Sequence, residues 1–418
     1  MTGRPHVMPE ATPGVRRRLR GTWLAIHLYV GLVAGGAFVL LGLTGSLLVF
    51  YVGLDQRLEP TVASSTGGGP PRSLDEVFGA LRAAHPERTR AWRLELPMDP
   101  DDPVTARYTR PAETAHLGFA PLVVRVDPRT LEVGPARFWG DFAMTWIYDL
   151  HYTLLLDRTG RTVVAIAGLV LLGSLVTGLV LWWPAPGRWR TALAWKRHAA
   201  PARRVYDLHK LGGVGGGLLL AILAVTGTML GEPAWFQPAI DRLSPLHRAP
   251  ALTTFAPPGG VRLSLDEAVR IARGRFPLAE PRWIETPADD AGTYRVQMYQ
   301  TGEPGRRFPK TQVWIDPWRG SVLAVRDARA DGAGDTLLAW LHPLHSGEAL
   351  GLPGRLLVLV AGLVPALLFT TGVIRWLQKR RARAAAAVCS PILTTATTPR
   401  SAGSAPVPAN PGRRRSRR

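Results

Sequence analysis

Four long apolar runs, at about residues 22–51, 162–183, 206–230 and 355–377, stand out from the rest of the chain. Each is near or above the roughly 20 residues needed to cross a hydrocarbon core, so each predicts a membrane-spanning helix. The first run has no Ala-x-Ala-type site closing its apolar core, which predicts a retained anchor rather than a cleaved signal peptide. The two long connections, after the first and third runs, have a different pattern. Each contains a Ser-capped helix start, Ser73-Leu74-Asp75-Glu76 and Ser264-Leu265-Asp266-Glu267, with acids placed at the positive end of the helix. Strands with period-two alternation follow, such as Tyr294-Arg295-Val296-Gln297-Met298, and the last strand of each connection ends at an Asp-Pro turn.

The elements recur. A shift of 182 residues lays His27, Gly31, Gly35, Thr44 and Gly45 on His209, Gly213, Gly217, Thr226 and Gly227. A shift of 194 lays Asp141, Trp146, His151, Gly160, Arg161, Gly168, Thr177, Gly178 and Trp182 on Asp335, Trp340, His345, Gly354, Arg355, Gly362, Thr371, Gly372 and Trp376. Internal repetition on this scale is the first thing that fixes an architecture. The expectation is a polytopic α-helical membrane protein with four main transmembrane helices in two parallel repeats and two small outer α+β domains. Its parts are a tail (1–15), a first span (16–53), an outer domain (54–140), an interfacial helix with the second span (141–184), and a loop (185–204). The third span (205–231), a second outer domain (232–334), an interfacial helix with the fourth span (335–380), and a disordered basic tail (381–418) complete it.

A formal charge of +20 would suggest nucleic acid if it lay on one soluble face. It does not. Residues 1–22, 184–210 and 375–418 hold 5, 7 and 11 Lys/Arg against only Glu10 and Asp207, and all three segments fall on one side of a four-span topology. This positive-inside pattern puts both termini and the central loop in the cytoplasm of a bacterial inner membrane and the two domains outside it, and it argues against nucleic acid as a partner. The partner it predicts is the lipid bilayer, with the arginines of the C-terminal tail on anionic headgroups. Cys389 is the single cysteine, so an intramolecular disulfide, Cys-x-x-Cys-His haem attachment and an all-cysteine iron–sulfur cluster are excluded.

Of ten histidines, His27, His151, His209 and His345 obey the repeat. A lone histidine at a membrane boundary is ordinarily just solvated there; four at matched positions call for a function, because ionisable groups in membrane spans are costly. His27 and His209 fall toward the cytoplasmic face and His151 and His345 toward the outer face, giving two symmetric pairs. Zinc or copper could use imidazoles, but no matched carboxylate or cysteine completes either pair as such a site. Axial ligation of two b-type haems, with the four histidines as iron ligands, fits better, since the porphyrin supplies four nitrogens of its own. His342 is a further candidate on the face of His345, but Tyr148 occupies its matched place. The glycines beside the histidines serve either a flat macrocycle or close helix packing; the Thr-Gly pairs are weaker signals, common in membrane helices. Among the tryptophans, 139, 146, 182, 183, 235, 340 and 376 flank the spans as an aromatic belt would. Outer-sphere electron transfer would require no acid–base or covalent catalytic residue, which fits the lack of a dinucleotide fingerprint, P-loop or His-Glu-x-x-His, and its electron donor would come from elsewhere, as a quinol or a separate reductase.

The runs Ile-His-Leu-Tyr-Val-Gly-Leu (26–32), Leu-Thr-Gly-Ser-Leu-Leu-Val-Phe (43–50) and Leu-His-Ser-Gly-Glu-Ala-Leu-Gly-Leu-Pro-Gly-Arg (344–355) resemble the PepSY-associated transmembrane family, with a likeness extending over about residues 16–380. The resemblance implies a periplasmic PepSY-like domain between the helices of each pair. It also implies membership of a group that includes iron-regulated membrane proteins and haem-containing ferric-siderophore reductases, alongside relatives associated only with iron uptake or peptidases. Two readings stand: a membrane electron-transfer protein that reduces ferric iron or a ferric siderophore, and a haem-free scaffold or sensor that binds a peptidase or assists siderophore uptake.

Overall fold

The structure, a computed structural model, describes residues 13–58, 69–99 and 102–389. Residues 1–12 of the first expected tail and 390–418 of the second lie outside the described residues. In chain order the elements are α1 (Pro13–Leu48), α2 (Tyr51–Leu58), α3 (Leu74–Ala84), β1 (Trp92–Glu95), β2 (Val104–Tyr108), β3 (Leu122–Val126), β4 (Arg137–Phe138), α4 (Ala143–Thr153), α5 (Asp157–Trp182) and α6 (Trp189–Leu193). They continue with α7 (Pro201–Gly231), α8 (Gln237–Leu243), α9 (Leu265–Arg275), β5 (Glu280–Glu285), β6 (Tyr294–Tyr299), β7 (Thr311–Ile315), β8 (Val322–Arg326), α10 (Ala333–Ser346) and α11 (Gly351–Cys389). Among the described residues four helices are long and apolar enough to cross a membrane: Arg17–Leu48, Asp157–Trp182, Pro201–Gly231 and Glu348–Ala386. One compact unit ends at Arg375. In the rest of α11 the Arg380 guanidinium lies 5.6 Å from the centre of the Trp376 ring. The helix outruns the expected boundary at 380 because Arg381-Ala382-Arg383 and the alanines after them are strong helix formers.

The two expected α+β domains are one. A single eight-stranded antiparallel sheet runs in the order β4-β3-β2-β1-β5-β6-β7-β8. Its middle is the β1–β5 pair, with Arg93 opposite Glu285, Leu94 opposite Ile284 and Glu95 opposite Trp283. Two separate four-stranded domains would each leave β1 or β5 as an open edge; pairing them satisfies both rows of backbone groups. Alternation then sorts the side chains. Trp92, Leu94, Ala106, Val124, Ile284, Val296, Met298 and Ile315 face a common core with Val77 and Leu81 of α3 and Leu265, Ala268 and Ala272 of α9.

The two Ser-Leu-Asp-Glu motifs lock this arrangement. Ser73 and Glu76 form the expected capping box on α3, and Ser264 accepts from the Glu267 N–H on α9. The aspartates, however, reach across to the neighbouring helix instead of serving their own. Asp266 accepts from the backbone N–H of Leu74 (3.2 Å) and Asp75 (3.0 Å), and Asp75 accepts from the N–H of Leu265 at 2.7 Å. Each carboxylate therefore caps the other helix, where free N–H groups and the positive end of the helix dipole favour an anion.

The long helices approach one another through small residues. A Cβ placed on Gly42 of α1 would fall on the carbonyl oxygen of Gly362 in α11, and one on Gly362 would meet Ser46 and the Gly42 carbonyl. Ser46 Oγ donates across this crossing to Leu359 O at 2.8 Å. At the positions related by the shifts of 182 and 194, a Cβ on Gly168 of α5 would meet Thr228 of α7, whose hydroxyl reaches Ala165 O at 3.3 Å. Backbone is the obstacle at Gly42 and cannot rotate away. Gly42→Val is thus expected to cost about 1–3 kcal/mol through overpacking, seen as a lowered unfolding midpoint in detergent micelles. Gly36→Ala, which meets nothing within 4 Å, should leave that midpoint unchanged or raise it.

Candidate functional site

The four repeat-matched histidines all stand on helices, and all are held in the same way. His27 of α1 contacts α5, where its Nδ1 lies 3.2 Å from Ser174 O and 2.9 Å from Thr177 Oγ1. His209 of α7 repeats this on α11, with Leu368 O at 3.1 Å and Thr371 Oγ1 at 2.9 Å. His151 of α4 sits on α1, 3.1 Å from Leu41 O and 3.0 Å from Thr44 Oγ1. His345 of α10 sits on α7, 3.0 Å from Thr226 Oγ1.

Each threonine hydroxyl donates to a carbonyl of its own helix: Thr44 to Leu40 O (2.7 Å), Thr177 to Ser174 O (2.8 Å), Thr226 to Ile222 O (2.8 Å) and Thr371 to Leu367 O (2.6 Å). The proton of each hydroxyl is therefore committed within its helix, and the oxygen is left to accept. A carbonyl can only accept as well. Both partners thus require a proton on Nδ1, which leaves Nε2 as the unshared lone pair of each ring. The residue after each threonine is glycine, and the ring edge lies against it: Gly45 to His151 Cε1 3.0 Å, Gly178 to His27 Cε1 3.1 Å, Gly227 to His345 Cε1 2.8 Å and Gly372 to His209 Cε1 3.6 Å, measured from the Cβ that a side chain would add. Threonine supplies the acceptor and glycine makes room for the ring.

The brackets bring the rings together in two pairs. His27 and His209 have ring centroids 6.3 Å apart with planes at 85°, and His151 and His345 have centroids 6.2 Å apart with planes at 50°. Among the described residues none of the four Nε2 atoms has a hydrogen-bond partner, and no cluster of three or more His, Cys, Asp or Glu side chains could hold a metal by protein ligands alone. Two imidazoles 6.3 or 6.2 Å apart with their Nε2 atoms unengaged, and no third protein ligand among the described residues, suit a metal that brings its other ligands with it. A cavity of about 1850 Å³ reaches from the sheet down to His151 and His345.

His342 does not join the His151–His345 pair. Its ring packs edge-on against Phe308 at 4.9 Å, and its Nδ1 lies 3.9 Å from Glu348 Oε2. Trp139 departs from the expected belt: it is buried, donates from its indole nitrogen to Asp149 Oδ1 at 2.9 Å and stacks on Tyr51. Trp182, Trp183 and Trp189 instead make a mutual edge-to-face cluster at the end of α5. Of the site residues, the four Thr-Gly pairs are only weak signals in the sequence and become the brackets in the structure. The signal was present, since Thr44-Gly45 recurs as Thr226-Gly227 under one shift and Thr177-Gly178 as Thr371-Gly372 under the other.

Residues 24–379 match the family described as the PepSY-associated TM region. An uncharacterized protein of Pseudomonas aeruginosa is 26% identical over 257 residues, which is 57% of this chain and 64% of that protein; the chain thus spans just under two thirds of the relative's length.

The hydrogen bonding predicts the tautomer directly. In protein carrying 15N-labelled histidine, nitrogen shifts assigned to residues 27, 151, 209 and 345 should show a protonated Nδ1. An Nε2–H form at any of the four would contradict the bracket. Gly227→Val should displace the His345 ring and change its shift while leaving that of His27 in place.

Proposed function

The chain belongs to the PepSY-associated TM family, and on that premise we propose that it is an inner-membrane dihaem b protein that carries electrons across the bilayer to a ferric acceptor. The spacing of the tethered histidine pairs carries this reading. His27 with His209, and His151 with His345, would hold the group between them: the rings stand 6.3 and 6.2 Å apart, close to the separation that two metal–imidazole bonds of about 2 Å would need. The hydrogen bond at Nδ1 is the tether that metal-ligating histidines ordinarily have, fixing tautomer and orientation and raising ligand basicity. A haem at each pair would supply one-electron redox chemistry.

The chain's own contribution is placement. His27 and Thr44, the latter bracketing His151, are 17 residues apart on α1, so the pairs lie roughly 25 Å apart along that helix. In the reading of two parallel repeats, each pair joins equivalent residues of the two halves. The distribution of the basic segments supports an orientation with His27 and His209 toward the cytoplasm and His151 and His345, with the sheet, toward the periplasm. The acceptor proposed is ferric iron or a ferric siderophore at the periplasmic side, and the donor a quinol or a separate reductase.

Dithionite reduction of the purified protein should give the sharp absorption bands of low-spin haem b. His27→Ala and His345→Ala should each halve the haem content, removing different haems. A colourless protein from haem-replete cells would sink the proposal and leave the haem-free scaffold or sensor in its place. Loss of haem in neither variant would overturn the ligand assignment.

A further inference from the structure

The cavity that reaches from the sheet to His151 and His345 is closed at the sheet side by a cluster of arginines. The sheet face turned away from the α3–α9 core carries Arg93 and Glu95 on β1, Arg107 on β2 and Trp283 on β5, and Arg282 and Arg307 join them beside it. Arg107, Arg282 and Arg307 line the cavity, and Arg93 lies behind them against the Trp283 ring at 4.3 Å. Glu95 is the carboxylate these arginines share: Arg107 donates to it at 3.0 Å and Arg307 at 3.2 Å. Arg93 donates to the neutral Gln297 side chain at 2.7 Å, and Arg282 to the Pro97 carbonyl at 2.8 Å. The other acids nearby are engaged elsewhere, Glu285 with Arg295, Glu280 with Arg306, Asp55 with Arg125, and Glu348 with the backbone N–H groups of Arg306 and Arg307.

Three guanidinium groups, of Arg107, Arg282 and Arg307, therefore share one carboxylate, while Arg93 stands opposite Glu285, which Arg295 already engages. Arg282 is 3% exposed, and the Nε–H groups of Arg93, Arg107 and Arg282 are buried without a hydrogen-bond partner. Burial, with the charges of Arg295 and Arg107 adding to it, pushes the Arg93 pKa down to about 10, so its guanidinium remains charged at neutral pH. Like charges and unmatched donors held in a buried place are costly unless an anion completes them. Guanidinium forks match the geometry of planar carboxylates, to which they offer two parallel N–H···O bonds, as they also do to phosphates.

We propose that this chamber binds a carboxylate-bearing anion, with Arg107, Arg282 and Arg307 as its ligands. The carboxylates have two sources. One is the acidic side arms of a porphyrin held between His151 and His345, a version that rests on the dihaem reading; the other is a free polycarboxylate chelate of ferric iron entering from the sheet side, and the chamber's affinity for carboxylate holds under either.

The test is calorimetric titration of the full-length protein in detergent with citrate, using triethyl citrate as the uncharged control, on wild type, Arg307→Gln, Arg107→Gln and the charge-preserving Arg282→Lys. If the anion is free, the protein as purified binds citrate and not the ester, and either Gln substitution weakens binding by about tenfold or more. If the porphyrin arms fill the chamber, citrate binds only after the pigment is extracted, and the Gln variants retain less haem at the His151–His345 pair and shift its midpoint potential. Failure of citrate to bind both pigmented and extracted protein, or equal binding in wild type and both Gln variants, overturns the proposal. A protein purified without pigment defeats the dihaem reading but still answers the citrate titration, so the two fail separately.

Discussion

A histidine inside an apolar helix bundle must satisfy two ring nitrogens where water is scarce, and the arrangement of this protein follows from how it satisfies one of them. Nδ1 of each of the four matched histidines is bound by a buried threonine on a neighbouring helix, and a backbone carbonyl shares the bond at His27, His151 and His209. The threonine cannot compete for the proton, because its own hydroxyl is donated along its helix. One nitrogen is thus settled by the fold and the other left for whatever occupies the space between the rings. The helices must cross closely enough to bring a carbonyl within reach of an imidazole, which explains why glycine stands beside every bracket and at the Gly42–Gly362 crossing.

The sheet imposes a second constraint of the same kind at the other end of α4 and α10. By pairing β1 with β5 and exchanging the Asp75 and Asp266 caps, the two connecting segments become one rigid layer. That layer presents apolar side chains to α3 and α9 and arginines to the cavity. The alternation that builds a core on one face therefore builds an electrostatic surface on the other, at the cavity that reaches His151 and His345. Glu95 shows this: it pairs with Arg107 on the neighbouring strand and with Arg307 from a loop, tying the sheet to the loop beside it.

Much of this was legible in the sequence. Span number and position follow from the apolar runs, and the duplication picked four histidines out of ten and suggested which would meet. The brackets were written in the same duplication, but Thr-Gly is so common in membrane helices that its composition hid its position. What no local pattern could carry was the fusion of the two domains. The β1–β5 pairing joins residues about 190 apart, and nothing in either strand marks its edge as one to be covered. The reach of Asp75 and Asp266 to opposite helices was hidden for the same reason, since an acid in the first turn reads as serving its own helix. Trp139 misled in the other direction: a tryptophan near a span reads as interfacial until Asp149 is seen to hold it inside.

The brackets and the pairs divide the chain differently. Every bracket is made within one half, His27 with Thr177 and His151 with Thr44, then His209 with Thr371 and His345 with Thr226. Every pair is made between halves. A single half would hold its histidines tethered and correctly turned yet facing nothing, and two identical halves set side by side would complete both sites at once. Each pair therefore needs both halves of the chain, and the halves are not identical. Arg307, which stands at the cavity in the second half only, is where that difference bears on the chamber.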